Sequence, residues 1–431
     1  MTHYAQRFSP FSIHTLRKLT FTLVVIAALA LFAPLGRAQT YNVIHTFSGG
    51  GDGFAPYSGL TIGPGGNLYG TTSEMTGGTV FQMKQVNGSW LLSTLLNFNR
   101  RNGLIPYGRP VFGPGGSLFG TTLEGGTSQN CEEGCGAVYN MRPPATVCKS
   151  VSCPWTGVAI YSFADSNDGG SPNQVNPAFD QAGNLYGTAA MGGLSGRGVV
   201  YKLTPSNGSW NETVILNFDG PNGMYPYSGV IIDDAGNLYG TTAYGGQHGL
   251  GSIYEISPSG SGWAMTTLYS FQGTTDGQNP SAGLVLDRAG NLYGATPVGG
   301  SNGGGTVFEL SPSGGNWNFS LLYSLTGQPT QQHYPGVIDA LAIDSTGNLY
   351  GAAYSEGTHS SGAIFKLTPS NGGWTYTSLH DFSGGSDGGF PLGGPSVDGG
   401  GKVYGTTEYG GTLSGQNCAF AGCGVVWEIT P

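Results

Sequence analysis

Gly66-Asn67-Leu68-Tyr69-Gly70-Thr71-Thr72 is the stretch on which the reading of the fold turns. With its close variants it occurs seven times, the aromatic falling at Tyr69, Phe119, Tyr186, Tyr239, Tyr293, Tyr350 and Tyr404, at intervals of 50, 67, 53, 54, 57 and 54 residues. A repeat of this length, rich in Gly and alternating apolar residues, matches a four-stranded propeller blade and is too long for a helical solenoid unit. The expectation is an all-β, seven-bladed β-propeller of four-stranded antiparallel blades.

Working outward from the copy at Tyr293, each unit reads as strands a (Gly283 to Asp287), b (Asn291 to Thr296), c (Thr306 to Leu310) and d, exemplified by Met265 to Phe271 just before. Asp287-Arg288-Ala289-Gly290 and Ser311-Pro312-Ser313-Gly314-Gly315 are tight-turn chemistry joining antiparallel neighbours. The link after d is longer and carries Asp/Asn-Gly-x-x-Pro: Asp52 to Pro56, Asn102 to Pro106, Asp168 to Pro172, Asn222 to Pro226, Asp276 to Pro280 and Asp387 to Pro391. Such a link takes the chain from the outer strand of one blade to the inner strand of the next. On this phasing Asn42 to Phe47 is a d strand with no blade before it, and the last blade stops at its c strand, Val425 to Ile429. The N-terminal strand is therefore expected to pair with the last blade and close the ring.

The first 38 residues lie outside the repeat. Arg7, Arg17 and Lys18 precede an apolar run from Phe21 to Ala33, then Pro34, Gly36 and Ala38, which reads as a signal peptide over 1–38 followed by a propeller over 39–431. An uncleaved anchor is the other reading, although the run is shorter than the ~20 residues of a spanning helix. Removing the leader takes away four basic residues and no acidic one, moving the net charge from -9 to -13. That balance sets aside nucleic acid and anionic lipid as partners. The 79 glycines fall at set places in the repeat, so they describe a globular chain and not a low-complexity one.

Six cysteines fall in close pairs, Cys131 with Cys135, Cys148 with Cys153 and Cys418 with Cys423. Behind a leader these read as local disulfides of a secreted or periplasmic protein. Zinc is the alternative, without a His pattern to support it. Trp90, Trp155, Trp210, Trp263, Trp317 and Trp374 precede the d strands, with Tyr41 taken as the matching residue of the first; strict repetition assigns them to packing within or between blades. The glycine after each b-strand aromatic is expected to let strands crowd near the axis.

Function is sought where the period breaks. The d-to-a and b-to-c loops share one face, and its b-to-c loops carry Glu74, Glu124, Tyr244, His248, Tyr354, Glu356, His359, Glu408 and Tyr409. The opposite face is plain turns except for the insertion at about 142–154. At the inner strand, Gly59, Arg109, Asn176, Gly229, Gly283, Ala340 and Gly394 occupy one position, and Arg109 and Asn176 depart from small residues. With Asp339 they make a polar candidate at the channel mouth. The ligand-binding candidates are thus Arg109, Asn176, Asp339, Tyr244, Tyr354, Tyr409, Glu124 and Glu408. His248, His333 and His359 share the binding face without spacing to a carboxylate or nucleophile, and the repeated Asp of the d-to-a link reads as turn chemistry before calcium ligation. No phosphate loop, G-x-S-x-G elbow or H-E-x-x-H is present.

Taken together, D-x-x-G-N-L-Y-G-T-T, then G-G, G-x-V-[FY]-x-L-[ST]-P and W-x-x-x-x-L-[YH]-x-F resembles the GloVer (Gloeo/Verruco) tandem repeat of exported bacterial proteins, over all units from about residue 41 onward. The resemblance implies a secreted protein from a family without an assigned activity. Members often carry a C-terminal anchor, whereas this sequence stops at Pro431 after the last c strand, which favours a freely secreted form. The b strand is also similar to NHL and gluconolactonase-like propellers, but the residues that hold the lactonase metal have no counterpart, so no metal or cofactor is expected. The leading expectation is a monomeric, non-enzymatic propeller binding a glycan or an extracellular protein through its b-to-c face. The alternatives are a hydrolase or lyase at the channel mouth and a structural role in an envelope or matrix.

Overall fold

The computed structural model describes residues 39–431 except 75–76, 145–154, 328–338, 412–417 and 419–421. Seven four-stranded antiparallel sheets follow one another, each in the order a-b-c-d. The first blade runs Thr61–Ile62, Leu68–Thr72, Thr79–Val86 and Ser89–Asn97. The seventh takes Ser396–Val397, Val403–Thr407 and Val425–Thr430 from the end of the chain and Thr40–Thr46 from its beginning. Thr40 lies opposite Thr430 and Thr46 opposite Val425, so the N-terminal strand closes the ring as the phasing requires. The leader and the Cys148/Cys153 pair, with most of its insertion, lie outside the described residues. No helix among the described residues is long and apolar enough to cross a membrane.

Strand lengths differ from the sequence reading in a consistent way. The a strands shrink to two ladder residues, such as Val285–Leu286, paired with Tyr293 and Leu292 of the b strand. The c strands run on to Thr306–Ser313, with Pro312 opposite Trp317, so the c-to-d turn is only Gly314-Gly315.

Every d strand carries one extra residue against its c strand, and it is always aliphatic: Ile44, Leu95, Ile160, Ile215, Leu268, Leu322 and Leu379. A bulge of this kind raises the local twist of an outer strand and blunts its exposed edge. Here the bulged Leu or Ile is half-buried, as Ile44 against the cluster of Phe47, Phe81 and Val426 shows.

The tryptophans pack between blades. Trp90 meets Tyr404 edge-on at 6.1 Å between centroids, Trp155 meets Tyr69 at 6.2 Å, Trp210 meets Phe119 at 5.8 Å and Trp263 meets Tyr186 at 6.1 Å. Trp317 on Tyr239 and Trp374 on Tyr293 are each at 6.0 Å. Each d-strand indole therefore covers the b-strand aromatic of the preceding blade. Tyr41 does not take the Trp place. It lies opposite Ile429, in the register where Tyr376 faces Leu367, two residues further along the strand. There it stacks on His380 at 3.7 Å, as Tyr376 stacks on Tyr323 at 4.5 Å.

The b-strand glycine also has a different reason from the one expected. It lies opposite the c-strand aromatic of its own blade: Gly70 faces Phe81 and Gly294 faces Phe308, and a Cβ on either would sit 2.5 Å from the ring. It makes room for the blade's largest core side chain. The glycines that crowd the axis lie two residues ahead of the a strands, where a Cβ on Gly59 or Gly394 would strike a neighbouring carbonyl.

Candidate functional site

One face of the ring is assembled by its backbone. Within a blade the d-to-a link pairs with the b-to-c loop, as Leu104 with Glu124, Gly170 with Met191, Met224 with Tyr244, Gln278 with Val298 and Gly389 with Tyr409. The residue before the proline of the link has a left-handed backbone in six copies: Ala55 (φ 49), Ile105 (58), Ser171 (49), Tyr225 (56), Asn279 (57) and Phe390 (57). Non-glycine residues rarely occupy this region, and they persist there only when their surroundings over-determine them. Two bonds do so. The Ile105 amide donates to Gly77 of the preceding blade and its carbonyl accepts from Leu123 of its own; Tyr225 does the same between Arg197 and Ala243.

The conserved-looking Asx of this link is occupied by the turn. Asp276 accepts from the Gln272 and Gly273 amides and from the Tyr269 hydroxyl at 2.8 Å. Tyr161 donates likewise to Asp168 (3.0 Å), while His45 and His380 sit 3.2 Å from Asp52 and Asp387. Where the d strand offers Leu96 or Leu216 instead, the link carries Asn102 or Asn222, whose side-chain oxygens accept backbone amides. The pairing of Tyr or His with an Asp seven residues on, at His45, Tyr161, Tyr269 and His380 though not at Tyr323, is visible in the sequence once each Asx is set against its own d strand.

Arg109, Asn176 and Asp339 are brought together. Arg109 reaches across the inner ring from the second blade: Nη2 donates to Gly394 O at 2.9 Å and lies 3.3 Å from Asp339 Oδ2, and Nη1 donates to Ser396 Oγ at 3.1 Å. Its amide donates to Asn176 Oδ1 at 2.9 Å. Asp339 in turn accepts from the amides of Gly394 and Ala340. With Leu60 O of the first blade accepting from Arg109 Nη1 at 3.4 Å, the cluster ties together five blades, and most of its polar atoms are engaged by the protein.

Glu408 is the larger departure from the repeat. It follows its b strand directly, where the other blades place Ser73, Leu123, Ala190, Ala243, Pro297 and Tyr354, and it is only 2% exposed. Tyr57 of the first blade donates to Oε1 at 2.7 Å and Tyr354 of the sixth to Oε2 at 3.2 Å. Burial, reinforced by the Glu408 charge, pushes the hydroxyl pKa of Tyr57, Tyr354 and Tyr409 far up, so all three remain protonated donors. Beside this carboxylate opens a cavity of about 190 Å³, lined among others by Phe54, Tyr57, Glu74, Tyr107, Glu408 and Tyr409. Tyr57 and Tyr107, each one residue past its link proline, stand 4.7 Å apart across the blade boundary. Burial raises the Glu74 carboxyl above the usual range. Sequence reading missed Tyr57 and Tyr107, although Pro-Tyr at 56–57, 106–107 and 226–227 in only some links was the available signal.

The other candidates are dispersed. Tyr244 packs on Tyr225 edge-on at 6.0 Å and lines a second cavity, of about 260 Å³, with Gln174, Tyr227 and Asn279. The Glu124 carboxyl is raised by burial and by Glu133. Glu356 is buried around the Thr326 and Gly327 amides, whereas His248 and His359 are exposed. His333 lies outside the described residues. Disulfides join Cys131 to Cys135 and Cys418 to Cys423, each in a b-to-c loop, and Cys418 borders the Glu408 cavity.

Comparison with solved structures returns proteins of low identity. A protein provisionally named a gluconolactonase is 12% identical with a TM-score of 0.42, covering 91% of this chain and 92% of its own. A provisionally named 6-phosphogluconolactonase from Bacteroides uniformis is 12% identical with a TM-score of 0.48, covering 74% and 83%. The PQQ-bound aldose sugar dehydrogenase of Streptomyces coelicolor is 13% identical with a TM-score of 0.41, covering 91% and 98%. At this similarity nothing of their chemistry transfers. No curated protein matches the sequence. The Gloeobacter/Verrucomicrobia repeat matches residues 172–419, more than half of the chain; with the blade period and ring closure already described, the chain belongs to that repeat family.

Proposed function

We propose that the protein is a secreted, non-enzymatic propeller that binds an extracellular glycan or protein through the face carrying the d-to-a and b-to-c loops. The observation that carries this reading is the Glu408 cavity. A buried carboxylate and tyrosines drawn from the first, second and seventh blades surround a concave space on the face where the repeat is least regular, and Tyr354 of the sixth blade holds the carboxylate from behind. Aromatic walls with few, placed polar groups are the common composition of a ligand pocket. Export is supported by the leader-like first 38 residues and by the two described disulfides.

A hydrolase or lyase worked by Arg109, Asn176 and Asp339 is the second reading. Their proximity favours it, and their engagement with backbone and with one another weighs against it. Glycan-array and affinity-capture screening of the exported protein, followed by titration of the hits against Tyr107→Ala and Tyr409→Ala, tests the proposal. A ligand whose affinity falls at least tenfold in both variants supports it. A turnover activity abolished by Asp339→Asn, with those tyrosines dispensable, would replace it by the enzymatic reading.

A further inference from the structure

The polar groups lining the Glu408 cavity are unbalanced between donors and acceptors. The Tyr57 hydroxyl donates to Glu408, and the Ser73 hydroxyl donates to Pro106 O at 2.9 Å. Glu408 also engages the Tyr409 side chain. Of the four lining hydroxyls, those of Tyr57, Ser73 and Tyr409 are thus turned onto the protein and only that of Tyr107 is left to the space, while the carboxyl groups of Glu408 and Glu74 keep acceptor capacity, since a carboxylate offers about four lone-pair sites. Among the described residues no Lys, Arg or His lines the space. Four aromatic rings, Phe54, Tyr57, Tyr107 and Tyr409, make up much of the remaining wall, with the apolar Ala55 and Ile105 between them.

A neutral sugar hydroxyl needs both donors and acceptors around it. A group that only donates, carries positive charge and favours the faces of aromatic rings fits this lining better, and that description is an organic ammonium. The volume of about 190 Å³ holds one such head group, with the rest of its molecule outside. The chain's net charge of -9 adds a field of the same sign.

We infer that the Glu408 cavity is a subsite for an alkylammonium group. This deepens the binding role proposed above and rests on it. Primary and quaternary ammonium share the chemistry, and the probes separate them.

Isothermal titration of the intact exported protein with choline, tetramethylammonium, glucosamine and Nα-acetyl-lysine amide is the test. Neutral isosteres run beside them: 3,3-dimethylbutan-1-ol, N-acetylglucosamine and Nα-acetyl-norleucine amide. The expected result is binding of at least one cation, with its isostere at least tenfold weaker, affinity falling as salt is added, and at least a tenfold loss in Glu408→Gln. If Glu408→Gln does not fold, Glu74→Gln and Tyr107→Ala carry the same expectation. Preference for quaternary over primary probes assigns the source. Equal affinity for cation and isostere, or no binding of any cation, overturns the ammonium subsite. The wider binding role falls separately, when the glycan and protein screens also return nothing on this face.

Discussion

Tyr57 and Glu408 lie 351 residues apart in the chain and meet at 2.7 Å across the seam where the ring closes. The bond puts the candidate cavity at the junction of the first and last blades, so site and closure depend on the same strand pairing. Deleting residues 40–46 removes the outer strand of the seventh blade and bares the edge of Val425–Thr430. The truncated protein is expected to aggregate or to melt far below the parent by calorimetry. A milder probe is Tyr41→Ala, which removes the ring stacked on His380 and is expected to cost about 3 kcal/mol in urea unfolding. Unchanged stability in both would mean that the N-terminal strand does not close the ring.

Asp339→Asn leaves the Arg109 guanidinium, 17% exposed, without its carboxylate. Breaking one side of a buried pair costs about 3 kcal/mol, whereas removing both sides is often tolerated. The double variant Arg109→Gly with Asp339→Ala restores the small residue that most blades carry and is expected to recover most of the loss. Equilibrium denaturation of the three proteins gives the coupling directly.

Gly294→Ala drives a methyl into the Phe308 ring, and an overpacked core of this kind costs about 2 kcal/mol. Adding Phe308→Leu should relieve the clash, so the double variant is less destabilised than the two single losses combined. Additive losses would show that the glycine serves backbone conformation and not the ring opposite.

Glu212 supplies a pH dependence. Burial, with Asp168 nearby, pushes its carboxyl up to about 7, and Oε1 is buried without a hydrogen-bond partner among the described residues. A raised acid favours the protonated fold. Its effect on stability is absent below the ordinary value of 4.5, and stability falls between 4.5 and about 7 as the unfolded chain ionises first, then levels off. Because the group is half-exposed, solvent screening reduces the loss to about 1 kcal/mol. Glu212→Gln should remove this slope, read as unfolding midpoints at pH 5 and pH 8.

The blade count, strand order and closure were legible because a period-two strand pattern repeated seven times leaves one consistent phase. What the sequence could not show was which groups satisfy one another. Arg109 looked like a free cation at a channel mouth until its guanidinium was seen lying across Gly59, and Glu408 looked like an exposed loop acid until two tyrosines from other blades were found on it. Both depend on contacts between different blades, 50 to 351 positions apart, and the repeat sets their register without naming their partners. The b-strand glycine was misplaced for a related reason: its constraint lies on the neighbouring strand, in a ring eleven residues away at Phe81.

Among the described links the residue ahead of the proline is held by its amide and its carbonyl, one bond to each of two adjacent blades, in five of six copies; at Asn279, where Pro297 has no N–H to offer the carbonyl, the side-chain amide donates to Ala243 O instead. The side chain is correspondingly varied: Ala55, Ile105, Ser171, Tyr225, Asn279 and Phe390 share one backbone geometry. A position whose backbone frame is fixed without calling for one particular side chain is where point mutation acts most freely. Ala55 and Ile105 already border the Glu408 cavity. Single codon changes at these positions can thus vary the chemistry that the face presents, leaving the ring that carries it intact.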